Sequence, residues 1–206
     1  MFVEYNRPGL WASMKRNLGE IRRIEDPVKR RATFIAILSR EMTLRGERAP
    51  VVVGGEAVEL YTQGSYTTGD IDIKSPRAAT VLILKEWGFS KKGRTWFNKE
   101  LDIYVDWVGA SLEEGEEAEG RVTTIKVAKG LEIRVISIED LVIDRLNAAK
   151  WWGDVDSLMW AKVLLGVKKR SKGKIDLAYL QKRSREEAVA DFLAKALSSS
   201  RSGRKR

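Results

Sequence analysis

The 206-residue chain contains no cysteine and no histidine. The first absence excludes disulfides, zinc–thiolate sites and thiol nucleophiles. The second removes the commonest general base and the commonest imidazole metal ligand, so catalysis near neutral pH must rest on carboxylates, hydroxyls, lysine or a bound metal. Long apolar runs are missing too. No stretch reaches the roughly 18 consecutive apolar residues of a membrane span, and the N-terminus lacks the apolar core of a signal peptide. A cytoplasmic protein with no membrane association is the expectation.

What remains is a chain with 43% hydrophobic residues, enough to build a core without covalent staples. Lys and Arg outnumber Asp and Glu by 38 to 29, a formal charge of +9 that favours polyanionic partners such as nucleic acid or nucleotides. The charged fraction of 33% together with the lack of cysteine also suits a heat-adapted, thermophile protein.

Hydrophobic periodicity divides the chain into an N-terminal arm (1–25), a core (26–136), a helical C-terminal part (137–197) and a basic Ser/Arg/Lys/Gly tail (198–206) that cannot bury a core. In the arm, Trp11, Met14, Leu18 and Ile21 fall at helical spacing. Asp26-Pro27 reads as an N-cap with proline at the first helical position, opening a helix whose Phe34, Ile35, Leu38 and Met42 share one face. The valine run at 51–53 reads as a buried strand, broken by Gly54-Gly55 before a short helix. Around 71–73, Asp and Ile alternate, which puts both carboxylates on one side of a strand and both isoleucines on the other. Further strands are expected at 89–90, 95–98 and 101–108, with Asp102, Tyr104 and Asp106 on one face. A glutamate-rich loop over 111–120, a strand pair at 122–127 and 133–136, and a helix capped by Ser137 follow. Helices over 154–165, 176–183 and 186–197 complete the chain.

Two aspartates at i and i+2 on a rigid strand suit magnesium, which takes oxygen ligands from a few carboxylates, phosphates and water. A third carboxylate from a neighbouring strand would complete such a site. Asp106, flanked by apolar residues within its strand, is the chosen candidate; Asp102, closer to the hairpin turn, is the alternative. Glycines between a strand and a helix let a triphosphate approach backbone N–H groups, which is the position of Gly54-Gly55.

The segments Val-Val-Val-Gly-Gly-Glu-Ala-Val-Glu-Leu-Tyr, Thr-Gly-Asp-Ile-Asp-Ile and Ser-Ile-Glu-Asp-Leu-Val-Ile-Asp-Arg-Leu-Asn-Ala-Ala-Lys resemble the nucleotidyltransferase superfamily of DNA polymerase beta, and within it the AbiEii-like toxin-type nucleotidyltransferases. The resemblance covers roughly residues 28–197. It implies an α+β fold: a mixed β-sheet nucleotidyltransferase core with a C-terminal helical subdomain closing over the nucleotide. It also implies two magnesium ions, or manganese in their place, held by Asp70, Asp72 and Asp106. Gly54 and Gly55 match the phosphate-facing turn, and Lys150 aligns with a basic triphosphate or substrate contact. The implied activity moves an NMP from an NTP such as ATP to an acceptor hydroxyl, on an RNA end such as tRNA or on a protein. A toxin role opposite a cognate antitoxin follows from the same resemblance.

The chain departs from the family pattern in three places. Gly55 stands where serine is frequent, Tyr66-Thr67-Thr68 where an arginine often precedes the Asp pair, and the Gly-to-Asp gap is slightly long. Ser65 or a threonine is the expected substitute contact. A catalytically inactive module of the same fold, binding nucleic acid or a partner protein, is the alternative reading. Trp151, Trp152 and Trp160 are expected to pack between helices, and the basic run over 168–174 to be a solvated linker or an RNA-backbone contact.

Overall fold

A computed structural model describes residues 18–170 and 175–198, with the side chains of 168–170 also left out. Trp11 and Met14 of the arm, the basic run over 168–174 and the tail from 199 lie outside the described residues. A short helical segment over 18–22 precedes the first long helix.

Helix α1 (Pro27–Leu44) starts where the sequence demands: the Asp26 side chain accepts from Val28 N at 2.9 Å and Lys29 N at 3.1 Å, and Pro27 takes the first turn, where no N–H is needed. Phe34, Ile35, Leu38 and Met42 are all fully buried. Strand β1 (Val51–Val52) then leads directly into α2 (Gly54–Thr62), so the glycine pair forms the helix's own first turn. Strand β2 (Ile71–Lys74) follows, then α3 (Arg77–Glu86) and three antiparallel strands, β3 (Ser90–Lys92), β4 (Thr95–Asn98) and β5 (Ile103–Gly109).

The expected glutamate-rich loop differs from the structure. Its second half is a helical turn, α4 (Glu116–Arg121), pinned because Ala118 is fully buried and Glu119 pairs with Arg48 at 3.1 Å and Arg134 at 3.5 Å. Strands β6 (Thr123–Ala128) and β7 (Leu131–Val135) close the sheet. From there the described chain is helical: α5 (Ile138–Trp151), α6 (Val155–Arg170), α7 (Leu177–Glu186) and α8 (Ala190–Ser198).

The architecture is α+β around a seven-stranded mixed sheet of order β3-β4-β5-β2-β1-β7-β6. Two parallel pairings, β2 with β5 and β1 with β7, sit inside antiparallel neighbours. Ile71 and Ile73 are fully buried on one face, which leaves Asp72 on the other. Hydrogen bonds join α2 to the connection that enters α5 and hold α5 to α7. Tyr61 on α2 donates to Ile136 O at 2.7 Å. Asp140 on α5 accepts from the Ser137 hydroxyl at 2.6 Å and from the Tyr179 hydroxyl of α7 at 2.6 Å.

Trp160 packs as its helical spacing suggests, edge-on against Tyr66 with ring centroids 4.9 Å apart. Trp151 and Trp152 do not. They are 58% and 75% exposed, because α5 ends there and the chain turns at Gly153 before α6. No helix among the described residues is long and apolar enough to cross a membrane.

Candidate functional site

The site is built on adjacent parallel strands. Asp72 of β2 is paired in register with Asp106 of β5, and Asp70 enters β2 two residues earlier on the same side. One carboxylate oxygen from each of Asp70, Asp72 and Asp106 lies within 4.8 Å of the others. Asp106 is 1% exposed, and its Oδ1 finds no hydrogen-bond partner among the described residues. A buried carboxylate oxygen is costly to leave unsatisfied. Three clustered carboxylates, one with an orphaned oxygen, make a hard oxygen donor set that fits a magnesium- or manganese-type ion. Asp70, Asp72 and Asp106 would hold that ion.

The electrostatics agree with the donor set. Burial pushes the Asp72 carboxyl up to about 6, with Asp70 and Asp106 adding to the rise and Arg94 opposing it. Asp144 on α5 contributes weakly in the same direction. Among the described residues, the cation paired with these aspartates is Arg94, at the β3–β4 turn, whose Nε lies 2.5 Å from Asp106 Oδ2.

Asp102, the alternative third acid, is elsewhere. It lies in the turn before β5 with φ of +50°, and its carboxylate pairs with Arg30 at 2.8 Å on the surface. The strand begins two residues later than expected, at Ile103, which removes Asp102 from the face of Asp106.

Gly54 has φ of +58°, a conformation that L side chains rarely adopt, and a Cβ built there would run into the Asp72 carboxylate. The glycine turn therefore lies directly against the aspartate cluster. Val53 provides no side-chain cap, so the first N–H groups of α2 remain open to an anion. At Gly55 a Cβ would approach Thr68 Oγ1 to 2.9 Å and the Tyr66 ring to 3.3 Å.

Thr68 is the functional position that sequence reasoning left unspecified. Its hydroxyl donates to Asp70 Oδ1 at 3.1 Å, orienting that carboxylate from the side of the glycine turn. Its place two residues before Asp70 was the available signal. Ser65, the expected contact, is an exposed turn residue whose N–H bonds Thr62 O. Lys150 is held by Ala188 O at 2.6 Å and Asp191 at 3.0 Å near the end of α5. Those partners are in the α7–α8 region, not among the aspartates.

Beneath α2 lies a second charged cluster that the sequence did not disclose. Arg31 of α1 donates to Glu56 Oε2 at 2.7 Å and to Glu59, both carboxylates being buried. Burial pushes the Glu56 carboxyl up to about 7, although Arg31 opposes the shift, and Glu59 and Asp70 add to it. Two carboxylates share one guanidinium here, which fixes the angle at which α2 presents its N-terminus.

No protein-family model and no curated protein matches the chain. The functional reading therefore stands on the geometry and on the sequence motifs.

Proposed function

We propose that the protein is a metal-dependent nucleotidyltransferase of the DNA polymerase beta type, moving a nucleoside monophosphate from a nucleoside triphosphate to an acceptor hydroxyl. The single observation that carries this reading is the convergence of Asp70, Asp72 and Asp106 on a glycine turn at a helix N-terminus, with Gly54 in contact distance of Asp72. Carboxylates alone attract cations, and a glycine turn alone attracts anions. Their juxtaposition fits a metal–triphosphate.

In this reading the open N–H groups of α2 bind the triphosphate, and the missing side chains at 54 and 55 permit its approach. Asp70 is oriented by Thr68. This hydroxyl stands beside Gly55, where the family resemblance leads one to expect serine. Two divalent ions, when bound, offset the charge that builds on the entering and leaving oxygens of an in-line displacement. Asp106 completes the ligand set and helps take the proton of the acceptor hydroxyl. In the same reading the helical part from Ile138 onward closes over the nucleotide.

The AbiEii-like resemblance extends the proposal to a toxin that modifies RNA ends or a protein hydroxyl and is restrained by an antitoxin. The test is transfer of label from each α-labelled triphosphate to total RNA or total protein. Asp70→Asn with Asp72→Asn should abolish it; transfer that survives the double substitution sinks the proposal. A second reading, a non-enzymatic module of the same fold, draws on Lys150 being engaged by Ala188 and Asp191. Calorimetry with magnesium and each triphosphate separates the two, since a module of that kind shows no aspartate-dependent uptake.

A further inference from the structure

Beside the metal-ligand cluster, on the opposite face of the sheet, runs a groove of about 770 Å³ between α3 and the β3–β4 hairpin. Its floor includes Phe89 and Trp107, and its rim carries Arg77, Lys85, Lys91 and Arg94; none of the lining residues is acidic. Arg77 lies over the Trp107 ring, 5.2 Å from its centroid, while the Trp107 Nε1 donates to Ser75 O at 2.9 Å and so fixes the ring. Trp107 is half-buried, whereas Arg77, Lys85 and Lys91 are exposed. Arg94 belongs to both places: it lines the groove and its guanidinium reaches Asp106 around the strand end.

We propose that this groove binds single-stranded nucleic acid. Four cations line the groove, of which Arg94 also pairs with Asp106, and they attract a phosphodiester backbone, each neutralised phosphate releasing counterions. The apolar floor with a fixed aromatic ring serves an unpaired base, whose face can replace the Arg77 guanidinium on Trp107. A duplex keeps its base faces stacked and has no use for that floor. The position is also opposite to the glycine turn along the sheet: the groove lies on the β5 side of the aspartates and Gly54 on the β1 side.

Binding does not rest on the nucleotidyltransferase reading, so it is measured in EDTA, where the aspartate cluster is silent. The full chain is titrated against fluorescently labelled 12-mer RNA and DNA single strands and the matching duplex. Wild type is compared with Arg77→Glu plus Lys91→Glu, with the milder Arg77→Gln plus Lys91→Gln, and with Lys126→Glu, an exposed charge change on the far strand β6. Both groove pairs should weaken single-strand binding at least tenfold relative to Lys126→Glu. The Gln pair should also reduce the slope of log affinity against log salt by about 1.4, the share of two cations. Equal weakening by Lys126→Glu, or a duplex bound as tightly as the single strand, overturns the proposal. The Gln pair keeps it testable if charge reversal disturbs folding. Loss of triphosphate transfer in the Asp70/Asp72 variants with groove binding intact supports both readings, and groove binding without any transfer by wild type sinks only the enzymatic one.

Discussion

Arg94, 76% exposed at its side chain, reaches into the site to pair with Asp106, 2% exposed, at 2.5 Å. An exposed cation thus pairs with the most buried carboxylate of the aspartate cluster. The same guanidinium lines the basic groove, so an ion arriving at the aspartates and a strand arriving in the groove both act on one side chain.

Removing that side chain should help the metal. Arg94→Ala deletes a competing cation while leaving all three aspartates, and a pair with one exposed partner is worth up to about 1 kcal/mol, or roughly fivefold in affinity. Calorimetric titration with Mn²⁺ should show tighter binding by about that factor. Weaker binding would mean that Arg94 positions Asp106 rather than competing for it.

Gly54→Ala should damage both stability and metal binding. The positive φ and the clash with Asp72 act together, and strain of this kind costs on the order of 1–3 kcal/mol. Mn²⁺ affinity should fall with it, because the displaced group is a ligand. Gly55→Ala, which lacks the positive φ, should cost less in denaturant unfolding. A larger loss at 55 than at 54 would contradict this assignment of strain.

Glu56 sets a pH dependence. Its folded-state carboxyl, pushed up to about 7 from an ordinary 4.5, favours the fold when protonated. That stability is complete below the unfolded value and is lost as pH rises through about 7. Glu56→Gln cannot ionise, so its stability relative to wild type should improve between about pH 5 and pH 8 by roughly 1–3 kcal/mol. Denaturant midpoints of the two proteins at both pH values measure it. A difference that stays constant with pH would place the titration elsewhere.

The helical part depends on Asp140. It receives the Ser137 and Tyr179 hydroxyls and lies 3.8 Å from Arg183 Nε, all in a buried setting. Asp140→Ala leaves Arg183 without this partner and should cost about 3 kcal/mol. Tyr179→Phe removes one hydrogen bond to a charged acceptor and should cost about 1.5 kcal/mol. Equal effects from the two in chemical denaturation would argue against a network centred on the carboxylate.

Local patterns carried much of this into the sequence. The Asp/Ile alternation at 70–73 is legible because a strand with one apolar and one polar face has no other periodicity, and Asp26-Pro27 and Ser137 are legible because caps are chemically specific. Asp106 could be separated from Asp102 by its apolar neighbours. Arg94 and Thr68 could not be picked out, since their roles come from strands paired across a turn or from a glycine that leaves room for a hydroxyl. The turn of α4 was hidden by Glu116, Glu117 and Glu119, whose composition reads as solvated loop until Arg48 and Arg134 are placed beside Glu119. Lys150 shows the reverse case. Its spacing matched a motif, yet its partners arrive from a helix turn nearly forty residues later.

The two-residue strand β1 has one more consequence, for the order in which the protein can be made. Val51 and Val52 pair on one side with Ile73 and Lys74 and on the other with Arg134 and Val135. A nascent chain that has emerged only as far as β5 already holds all three aspartates, but one edge of β1 is bare. Parallel closure by β7 must bridge a long loop, and such non-local pairing is slow. Until residues 131–135 have been made, that valine edge of β1 has no partner, and an unpaired strand edge invites aggregation.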